Sequence, residues 1–186
     1  MRKKALIVLA DGFEEIEAIT PIDLLRRGEI DVVIAGLNGG SVRGAHDIYV
    51  KTDISLKDLN FVPDVLILPG GMPGSENLAR ALELKTLISR MASNGGIIAA
   101  ICAAPALVLA PTGVLDGKKA TCYPGLQQNF STAVTYVKDT VVRDENIITS
   151  QGPATAMEFS LKIIEVLAGK AKADMTGEQA LFSCKL

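Results

Sequence analysis

The stretch "GGIIAAICAAPALVLA", Gly95–Ala110, joins an apolar β-type run to an apolar helix-type run through one cysteine, Cys102. We predict a buried strand over Ile97–Ile101 and a helix over Ala103–Ala110. The residues beside the cysteine are alanines, which are small enough for the sharp strand-to-helix turn that presents a catalytic nucleophile. The alternative interpretation is a small buried hydrophobic residue, which is what most free cysteines are.

The same alternation of strand and helix patterns extends along the whole chain. Strands that are apolar on both faces, each followed by a helix, indicate a mainly parallel sheet with helices on both faces. We therefore predict an α/β fold, a doubly wound sandwich with one antiparallel excursion at Val134–Val142. The predicted strands are Lys4–Ala10, Asp31–Ala35, Ile48–Thr52, Asp64–Leu68, Ile97–Ile101, Lys119–Cys122, Val134–Val142 and Asn146–Ser150. The predicted helices are Phe13–Arg27, Ser75–Ser93, Ala103–Ala110, Pro153–Leu167 and a short last helix within Ala173–Leu186.

The composition is that of one compact domain over residues 1–186. Of the 186 residues, 48% are hydrophobic and 22% are charged, which suits a single large core. The net charge of −2 gives no electrostatic footprint for nucleic acid or for an anionic membrane, and no apolar run is long enough to span a bilayer. Three cysteines, Cys102, Cys122 and Cys184, lack metal-ligand spacing, and their odd number argues against a disulfide framework. We expect a cytoplasmic protein with no metal and no cofactor.

Two further strand-to-helix turns are candidates for a ligand site, because such sites lie beyond the carboxyl ends of the strands. The turn "LPGGMPG", Leu68–Gly74, contains Gly70 and Gly71, which allow a ligand to approach the backbone N–H groups closely. It lacks the phosphate-loop pattern, and simple turn punctuation is the alternative interpretation.

The other turn, "ADGFEEIEAI", places Glu14, Glu15 and Glu17 in the first turn of a helix. These carboxylates could simply complement the helix dipole in solvent. Alternatively, one of them faces the sheet and meets the cysteine, where a dry pocket would raise its pKa and make it a proton donor. Glu14 and Glu17 share a helix face, whereas Glu15 projects elsewhere. The single histidine, His46, precedes a predicted strand and is interpreted as a surface or edge residue.

Five segments together resemble the ThiJ/PfpI superfamily, and within it the branch of the parkinsonism-associated protein deglycase. They are "ADGFEEIE", "RR…V..AG", "DVLILPGG", "AAICAAP" and "TSQGPATAMEF", in family order over nearly the whole chain. The resemblance implies a flavodoxin-like, class I glutamine amidotransferase-like domain that forms a homodimer. It also implies that Cys102 is the nucleophile, that Glu15 is a protonated carboxyl bonded to its sulfur, and that the N–H groups of Gly71 and Ala103 hold an oxyanion.

The function implied by this resemblance is a cofactor-free enzyme for α-oxoaldehydes or their glycated adducts, of the glyoxalase III or protein deglycase type. A redox-sensing, chaperone-like protein is the alternative, and a role in thiamine (thiazole) biosynthesis or a cysteine protease is less favoured. One departure is "TCYPG", where Tyr123 stands in place of a histidine found in many relatives. This disfavours a Cys–His pair and leaves Glu15 as the main proton carrier. Gly70, Tyr123 and His46 are predicted to line the site.

Overall fold

A computed structural model of the protein describes residues 2–182. Its elements alternate between strands and helices, as the apolar runs and helix-period segments predict. In chain order the strands are β1 (Lys4–Leu9), β2 (Asp31–Gly36), β3 (Ser41–Arg43), β4 (Tyr49–Lys51), β5 (Ile54–Ser55), β6 (Val65–Leu68), β7 (Ile97–Ile101), β8 (Lys119–Ala120), β9 (Thr135–Tyr136), β10 (Val141–Asp144) and β11 (Ile147–Ser150).

Five α-helices accompany these strands in the described part of the chain. They are α1 (Glu15–Arg27), α2 (Gly74–Arg80), α3 (Leu82–Ser93), α4 (Ala156–Ala168) and α5 (Lys170–Gln179). A π-helical segment, Pro105–Leu109, and short 3-10 turns at Leu56–Asp58, Ala110–Thr112, Gln127–Asn129 and Pro153–Thr155 complete the helical structure. None of the helices in residues 2–182 has both the length and the apolar character needed to cross a bilayer.

The central sheet has seven strands in the order β10-β11-β7-β6-β1-β2-β5. All its neighbours pair in parallel except β10 and β11, which are antiparallel. The chain moves outward in one direction from β1 to β2 and in the other direction from β6 to β7 and β11. The carboxyl ends of β1 and β6 therefore flank the point where ligand sites of open α/β sheets occur. The predicted doubly wound, mostly parallel, flavodoxin-like α/β fold is confirmed.

Each face of the sheet carries its own buried core, because successive side chains of a strand point to opposite faces. In β1, Ile7 and Leu9 belong to the cluster beneath α1 and α4, whereas Leu6 and Val8 belong to the cluster beneath α2 and α3. All four side chains are fully buried. A strand covered on both faces explains why the β1 and β7 segments have continuous apolar sequences.

The structure differs from the sequence prediction in several elements. The predicted helix Ser75–Ser93 is two helices, because Ala81 is extended between them. A continuous helix would place Leu78 and Leu84 about 120° apart around its axis, whereas the break lets both side chains be buried. The predicted strand Ile48–Thr52 pairs only with β3, in a separate hairpin.

The predicted Val134–Val142 strand is also divided. Its end belongs to β10, which is antiparallel as predicted, but its start, β9, pairs in parallel with β8 outside the main sheet. The predicted helix after Cys102 is present, although it is π-helical over Pro105–Leu109. The last helix begins at Lys170, earlier than predicted. Cys184 and the end of the predicted Ala173–Leu186 helix lie outside the described residues.

Candidate active site

Cys102 lies at the sharp bend between β7 and the following helical segment. Its φ angle is +65°, in the left-handed region that a residue with a side chain seldom adopts. Two backbone hydrogen bonds hold the bend: the Cys102 N–H donates to the Ser150 carbonyl at 2.9 Å, and the Tyr123 N–H donates to the Cys102 carbonyl at 2.8 Å. Strained backbone of this kind persists where its surroundings fix it, and it is concentrated at active sites.

Glu17, from the first turns of α1, is the carboxyl that contacts the sulfur. The Cys102 thiol donates a hydrogen bond to the Glu17 carboxylate, and the Gly70 N–H donates to Glu17 Oε2 at 2.8 Å. The Glu17 side chain is fully buried, and its other oxygen, Oε1, has no partner among residues 2–182. Burial raises the pKa of Glu17 to about 7. This carboxyl can therefore gain or lose a proton near neutral pH.

The Cys102 sulfur is subject to opposing influences. Burial and the adjacent Glu17 carboxylate raise the pKa of the thiol, while the N–H groups of Gly71 and Ala103 stabilise the thiolate and lower it. Cys102 retains 9% of its exposure. Because the thiol and the carboxyl of Glu17 share a hydrogen bond, the pair titrates as a unit rather than as two independent groups.

Two consecutive glycines make room for this pair. A Cβ at Gly70 would lie 2.6 Å from the Cys102 Cβ and 2.7 Å from Glu17 Oε2, so any side chain there would displace both groups. Gly71 has φ +89°, and a Cβ there would lie 2.3 Å from the Glu14 backbone nitrogen. The "LPGGMPG" turn is thus more than punctuation, because its glycines bring backbone N–H groups to the sulfur and the carboxyl.

The prediction that Glu15 contacts the sulfur is wrong. Glu15 Oε1 accepts a hydrogen bond from the His46 N–H at 2.7 Å, and Glu15 Oε2 lies 2.9 Å from His46 Nδ1. Burial opposes ionisation, but these bonds and the Ile48 N–H hold the pKa of Glu15 below its usual range. Residues two apart in a helix point about 200° away from each other. Glu15 therefore faces the β3–β4 hairpin, while Glu17 faces Cys102.

Glu17 was missed as a site residue, although its position in α1 carries a signal. The buried residues of the helix include Glu17, Ala18, Pro21, Leu24 and Leu25, which recur at helical spacing. A glutamate in line with this buried stripe is a buried carboxyl, and a buried carboxyl needs a partner or a proton.

His46 is an exposed residue of the hairpin, as the sequence predicts, and its ring contacts Glu14 and Glu15. No hydrogen bond or ion pair within residues 2–182 joins it to Cys102 to support its predicted place in the lining of the site. Hydrogen bonding to Glu15 and the charge of Glu14 raise its pKa. The ligand-type atoms of Glu14, Glu15 and His46 lie within 4.8 Å of one another, a spacing that could hold a metal ion. A metal there would have to replace the existing hydrogen bonds of Glu15, and no observation in residues 2–182 calls for it.

The second cysteine near the bend, Cys122, is fully buried, and burial raises its pKa to about 11. The next residue, Tyr123, is 48% exposed and is anchored to Cys102 through its backbone. The structure therefore brings Cys102, Glu17, Gly70, Gly71, Ala103 and Tyr123 together at one end of the sheet. This arrangement combines a nucleophile, a proton carrier and backbone donors for a developing negative charge.

Comparisons with known proteins agree with this geometry. Residues 3–166 match the DJ-1/PfpI family. The chain is similar to Protein dj-1beta of Drosophila melanogaster, with 48% identity over 175 residues that cover 92% of this chain and 93% of the relative. It is also similar to the Glutathione-independent glyoxalase DJR-1.2 of Caenorhabditis elegans, with 38% identity over 176 residues and 93% coverage of each chain.

A solved structure, described as oxidized DJ-1 of Toxoplasma gondii, superposes on this chain with a TM-score of 0.95. Its identity is 38%, and the match covers 98% of this chain and 100% of that one. The family match extends over most of the chain, and the relatives are covered nearly end to end. The chain therefore belongs to the DJ-1/PfpI family.

Proposed function

We propose that the protein is a cysteine-dependent enzyme that converts α-oxoaldehydes such as methylglyoxal, or their adducts, into α-hydroxy acids without a cofactor. The observation that carries this proposal is the contact between Cys102 and the buried carboxyl of Glu17. A group whose pKa lies near 7 can both accept and donate a proton at working pH, as general acid–base catalysis requires. The relative named as a glyoxalase supports the same reaction class.

In the first step, the Cys102 sulfur forms a bond with the aldehyde carbon while the thiol proton passes to Glu17. The carbonyl π electrons move to oxygen, where the N–H groups of Gly71 and Ala103 stabilise the negative charge. Glu17 then returns the proton to this oxygen, which gives a hemithioacetal. Because donors and carboxyl are already in place around the sulfur, no reorganisation is needed as the charge develops.

In the second step, the Glu17 carboxylate removes the hydrogen from the former aldehyde carbon. The electrons of that carbon–hydrogen bond form a double bond to the neighbouring keto carbon, while the keto π electrons move to its oxygen and give an enediolate. Glu17 then delivers its proton to the second carbon, and the hydroxyl on the first carbon passes its proton to the oxygen of the second carbon as the thioester carbonyl forms. Water cleaves the carbon–sulfur bond, releases the hydroxy acid and restores the thiol, so the net reaction adds one water and needs no oxidant.

Glu17 is the single proton carrier in this scheme. His46, the histidine of the chain, hydrogen-bonds Glu15 instead of Cys102. One positioned acid–base group contributes about 10²–10⁴-fold to a rate, so we expect a modest catalyst. The same arrangement disfavours a cysteine protease, which relies on a Cys–His pair.

The test is lactate production from methylglyoxal, without added glutathione, by the wild-type protein and two cysteine variants. Cys102→Ala should lose at least about a thousandfold in kcat/KM, as nucleophile variants do. Cys122→Ala is the matched control, because Cys122 is buried and makes no contact with Glu17; it should retain activity. Equal turnover by the wild type and Cys102→Ala would refute the proposal.

A second proposed role is redox sensing at the same sulfur, which the similarity to a structure described as oxidized supports. Two peroxide molecules would each transfer one oxygen to Cys102 and leave as water, giving a sulfinic acid. The Gly71 and Ala103 N–H groups would hold its oxygens. Intact mass after mild peroxide should show two added oxygens that map to Cys102 and are absent from buried Cys122. Oxidation spread evenly over both would contradict this role.

We also infer a homodimer, formed through the outer face of α1. Ile16 and Ile19 lie about one turn apart on this helix and are 53% and 41% exposed. Ile48, whose N–H lies 3.5 Å from Oε1 of Glu15 on the same helix, is 55% exposed. Exposed apolar residues that cluster in this way are typical of protein–protein contacts. Sedimentation of the wild type as a dimer and of Ile19→Glu as a monomer would support the inference. A wild-type monomer at micromolar concentration would contradict it.

A further inference from the structure

The segment of residues 118–123 lies outside the central sheet and connects it to Cys102. On one edge, its strand β8 pairs in parallel with β9 in a small sheet of two strands. Backbone N–H groups of alternate residues in an extended segment point to the same edge. Because residues 118 and 120 bond to the β9 side, the N–H groups of residues 119, 121 and 123 point to the opposite edge.

Two of these N–H groups join the segment to the nucleophile and to the strand beside it. The Thr121 N–H donates to Oγ1 of Thr149 in β11 at 2.9 Å, and this hydrogen bond is buried. The Tyr123 N–H donates to the Cys102 carbonyl at 2.8 Å. The hydroxyl of Thr149 therefore holds the segment two residues before the point where it contacts the nucleophile.

The hydrogen bond to the Cys102 carbonyl fixes the direction of the Ala103 N–H. The carbonyl of one residue and the N–H of the next belong to one planar trans peptide unit and point in opposite directions. When Tyr123 holds the carbonyl on one side, the Ala103 N–H is directed to the other side, where it donates to the Cys102 sulfur. Hydrogen bonds in a chain also polarise one another, so donation to this carbonyl makes the Ala103 N–H a stronger donor.

Thr149 is well placed to hold this arrangement, because β11 lies directly beside β7. Thr149 is fully buried and pairs with Ala100 in the parallel ladder between the two strands. The next residue, Ser150, accepts the Cys102 N–H through its carbonyl. The last two residues of β11 thus hold both sides of the Cys102 bend, Ser150 directly and Thr149 through the segment that ends at Tyr123.

We propose that Thr149 is a positioning residue for the Cys102 site, whose hydroxyl anchors residues 121–123 to β11 and thereby directs the Ala103 N–H at the sulfur and at the oxyanion formed there. The oxyanion part rests on the proposed function, whereas the sulfur part stands without it. A buried N–H that loses its acceptor is costly. Without the hydroxyl, Thr121 moves to find another partner, Tyr123 moves with it, and the Ala103 N–H is no longer held toward the sulfur.

The test compares the pH profile of Cys102 alkylation by iodoacetamide in the wild type and three variants. Thr149→Val keeps the shape of the side chain but removes the acceptor. It should raise the midpoint by about one pH unit, because the Ala103 N–H lowers the pKa of the thiol. Thr149→Ser restores the hydroxyl and should restore the wild-type midpoint. Thr121→Val is the matched control, because the Thr121 hydroxyl is equally buried but has no partner in residues 2–182.

Turnover of methylglyoxal separates failure of this proposal from failure of the proposed function. In Thr149→Val, kcat should fall by about 10²-fold while KM stays nearly unchanged, since a misdirected donor affects the transition state most. If the midpoint rises in Thr149→Val while no protein turns over methylglyoxal, the positioning role stands and the enzyme assignment fails. An unchanged midpoint in Thr149→Val, or an equal rise in Thr149→Ser or Thr121→Val, overturns the positioning role.

Amide hydrogen exchange of the wild-type protein gives a further check that does not depend on the folding of a variant. The Thr121 and Tyr123 amides should exchange slowly and at similar rates, because one movement of the segment releases both. The Lys119 amide should exchange faster, since its partner is the carboxylate of Asp144 in an exposed contact. A Tyr123 amide that exchanges as fast as that of an unfolded peptide, while the Thr121 amide is protected, overturns the proposal.

Discussion

Two glutamates in the first turn of α1, Glu15 and Glu17, have pKa values that are shifted in opposite directions. Glu15 faces the β3–β4 hairpin, where N–H groups and His46 surround its carboxylate and lower its pKa. Glu17 faces the sheet, where burial dominates over a single N–H bond and the Cys102 thiol, and raises its pKa to about 7. Both side chains are buried, to 6% and 0% exposure. The number of donors, rather than burial alone, decides which carboxyl stays charged.

The difference has a chemical consequence at the Cys102 bend. A carboxylate that is fully satisfied by donors, such as Glu15, is a structural anchor and a poor proton carrier. A carboxyl such as Glu17, which accepts bonds from one N–H and one thiol and has a second buried oxygen without a partner in residues 2–182, exchanges a proton near neutral pH. Glu15 thus binds α1 to the hairpin, and Glu17 exchanges a proton with the nucleophile.

The largest expected effect separates the two glutamates by activity. Glu17→Gln removes the proton carrier but keeps an acceptor for the Gly70 N–H, and it should lower kcat/KM for methylglyoxal by about 10²–10⁴-fold. Glu15→Gln, the matched control, keeps an acceptor for His46 and should remain near wild type. The measurement is lactate formation at neutral pH. Equal losses of kcat/KM in both variants would contradict the assignment of the proton carrier to Glu17.

A smaller effect should follow from crowding each glutamate in turn. A Cβ at Gly70 would lie 2.7 Å from Glu17 Oε2, and a Cβ at Gly44 would lie 2.2 Å from Glu15 Oε1. Gly70→Ala and Gly44→Ala should each cost about 1–3 kcal/mol in the free energy of unfolding, as overpacking does. Only Gly70→Ala should also lose activity, by about 10²-fold, because it displaces the reacting groups.

Urea unfolding gives the stability of both alanine variants, and the lactate assay gives their activity. If Gly44→Ala lost as much turnover per unit of destabilisation as Gly70→Ala, the Glu15 side would belong to the reaction, contrary to the account.

The pH dependence of stability should have opposite signs for the two glutamates. The folded-state pKa of Glu17 is raised from 4.5 to about 7, so between these values the folded protein binds more protons than the unfolded chain. The free energy of unfolding therefore falls as pH rises through this range, by about 3 kcal/mol at most. The folded-state pKa of Glu15 is lowered, so its contribution is present above pH 4.5 and is lost as the solution becomes more acidic.

Urea titrations of the wild type, Glu17→Gln and Glu15→Gln at several pH values measure both contributions. Relative to the wild type, Glu17→Gln should gain stability as pH increases toward 8. Glu15→Gln should be less stable than the wild type at neutral pH, and this difference in the free energy of unfolding should disappear at acidic pH. A difference between Glu17→Gln and the wild type that is independent of pH would contradict the raised pKa.

The fold could be predicted from the sequence because its central strands are apolar on both faces. β7 has the predicted bounds, Ile97–Ile101, and β1 and β2 each differ by one residue at one end. Elements whose position depends on distant partners were less predictable. Ala81 breaks a helix so that two leucines can reach the core, and the β3–β4 hairpin lies outside the main sheet although its β-type pattern resembles that of a sheet strand.

The parts of the site that the local sequence determines could be predicted, whereas the parts that depend on a tertiary contact could not. Alanines around Cys102 predict the bend. The choice of glutamate depends on a hairpin residue, His46, that is 31 positions away from Glu15. Ile16 and Ile19 are apolar but exposed in the structure, so the apolar residues of α1 alone do not identify its buried face. The stripe that contains Glu17 and Pro21 is the buried one.

The central claim is that the Cys102 sulfur shares its proton with Glu17 and not with Glu15. The most direct measurement is the pH profile of Cys102 alkylation by iodoacetamide, located by mass spectrometry, in the wild type and the two glutamine variants. The account predicts that Glu17→Gln moves the midpoint of the profile by about one pH unit or more, while Glu15→Gln leaves it in place. A midpoint that moves with Glu15→Gln and stays unchanged in Glu17→Gln would contradict it.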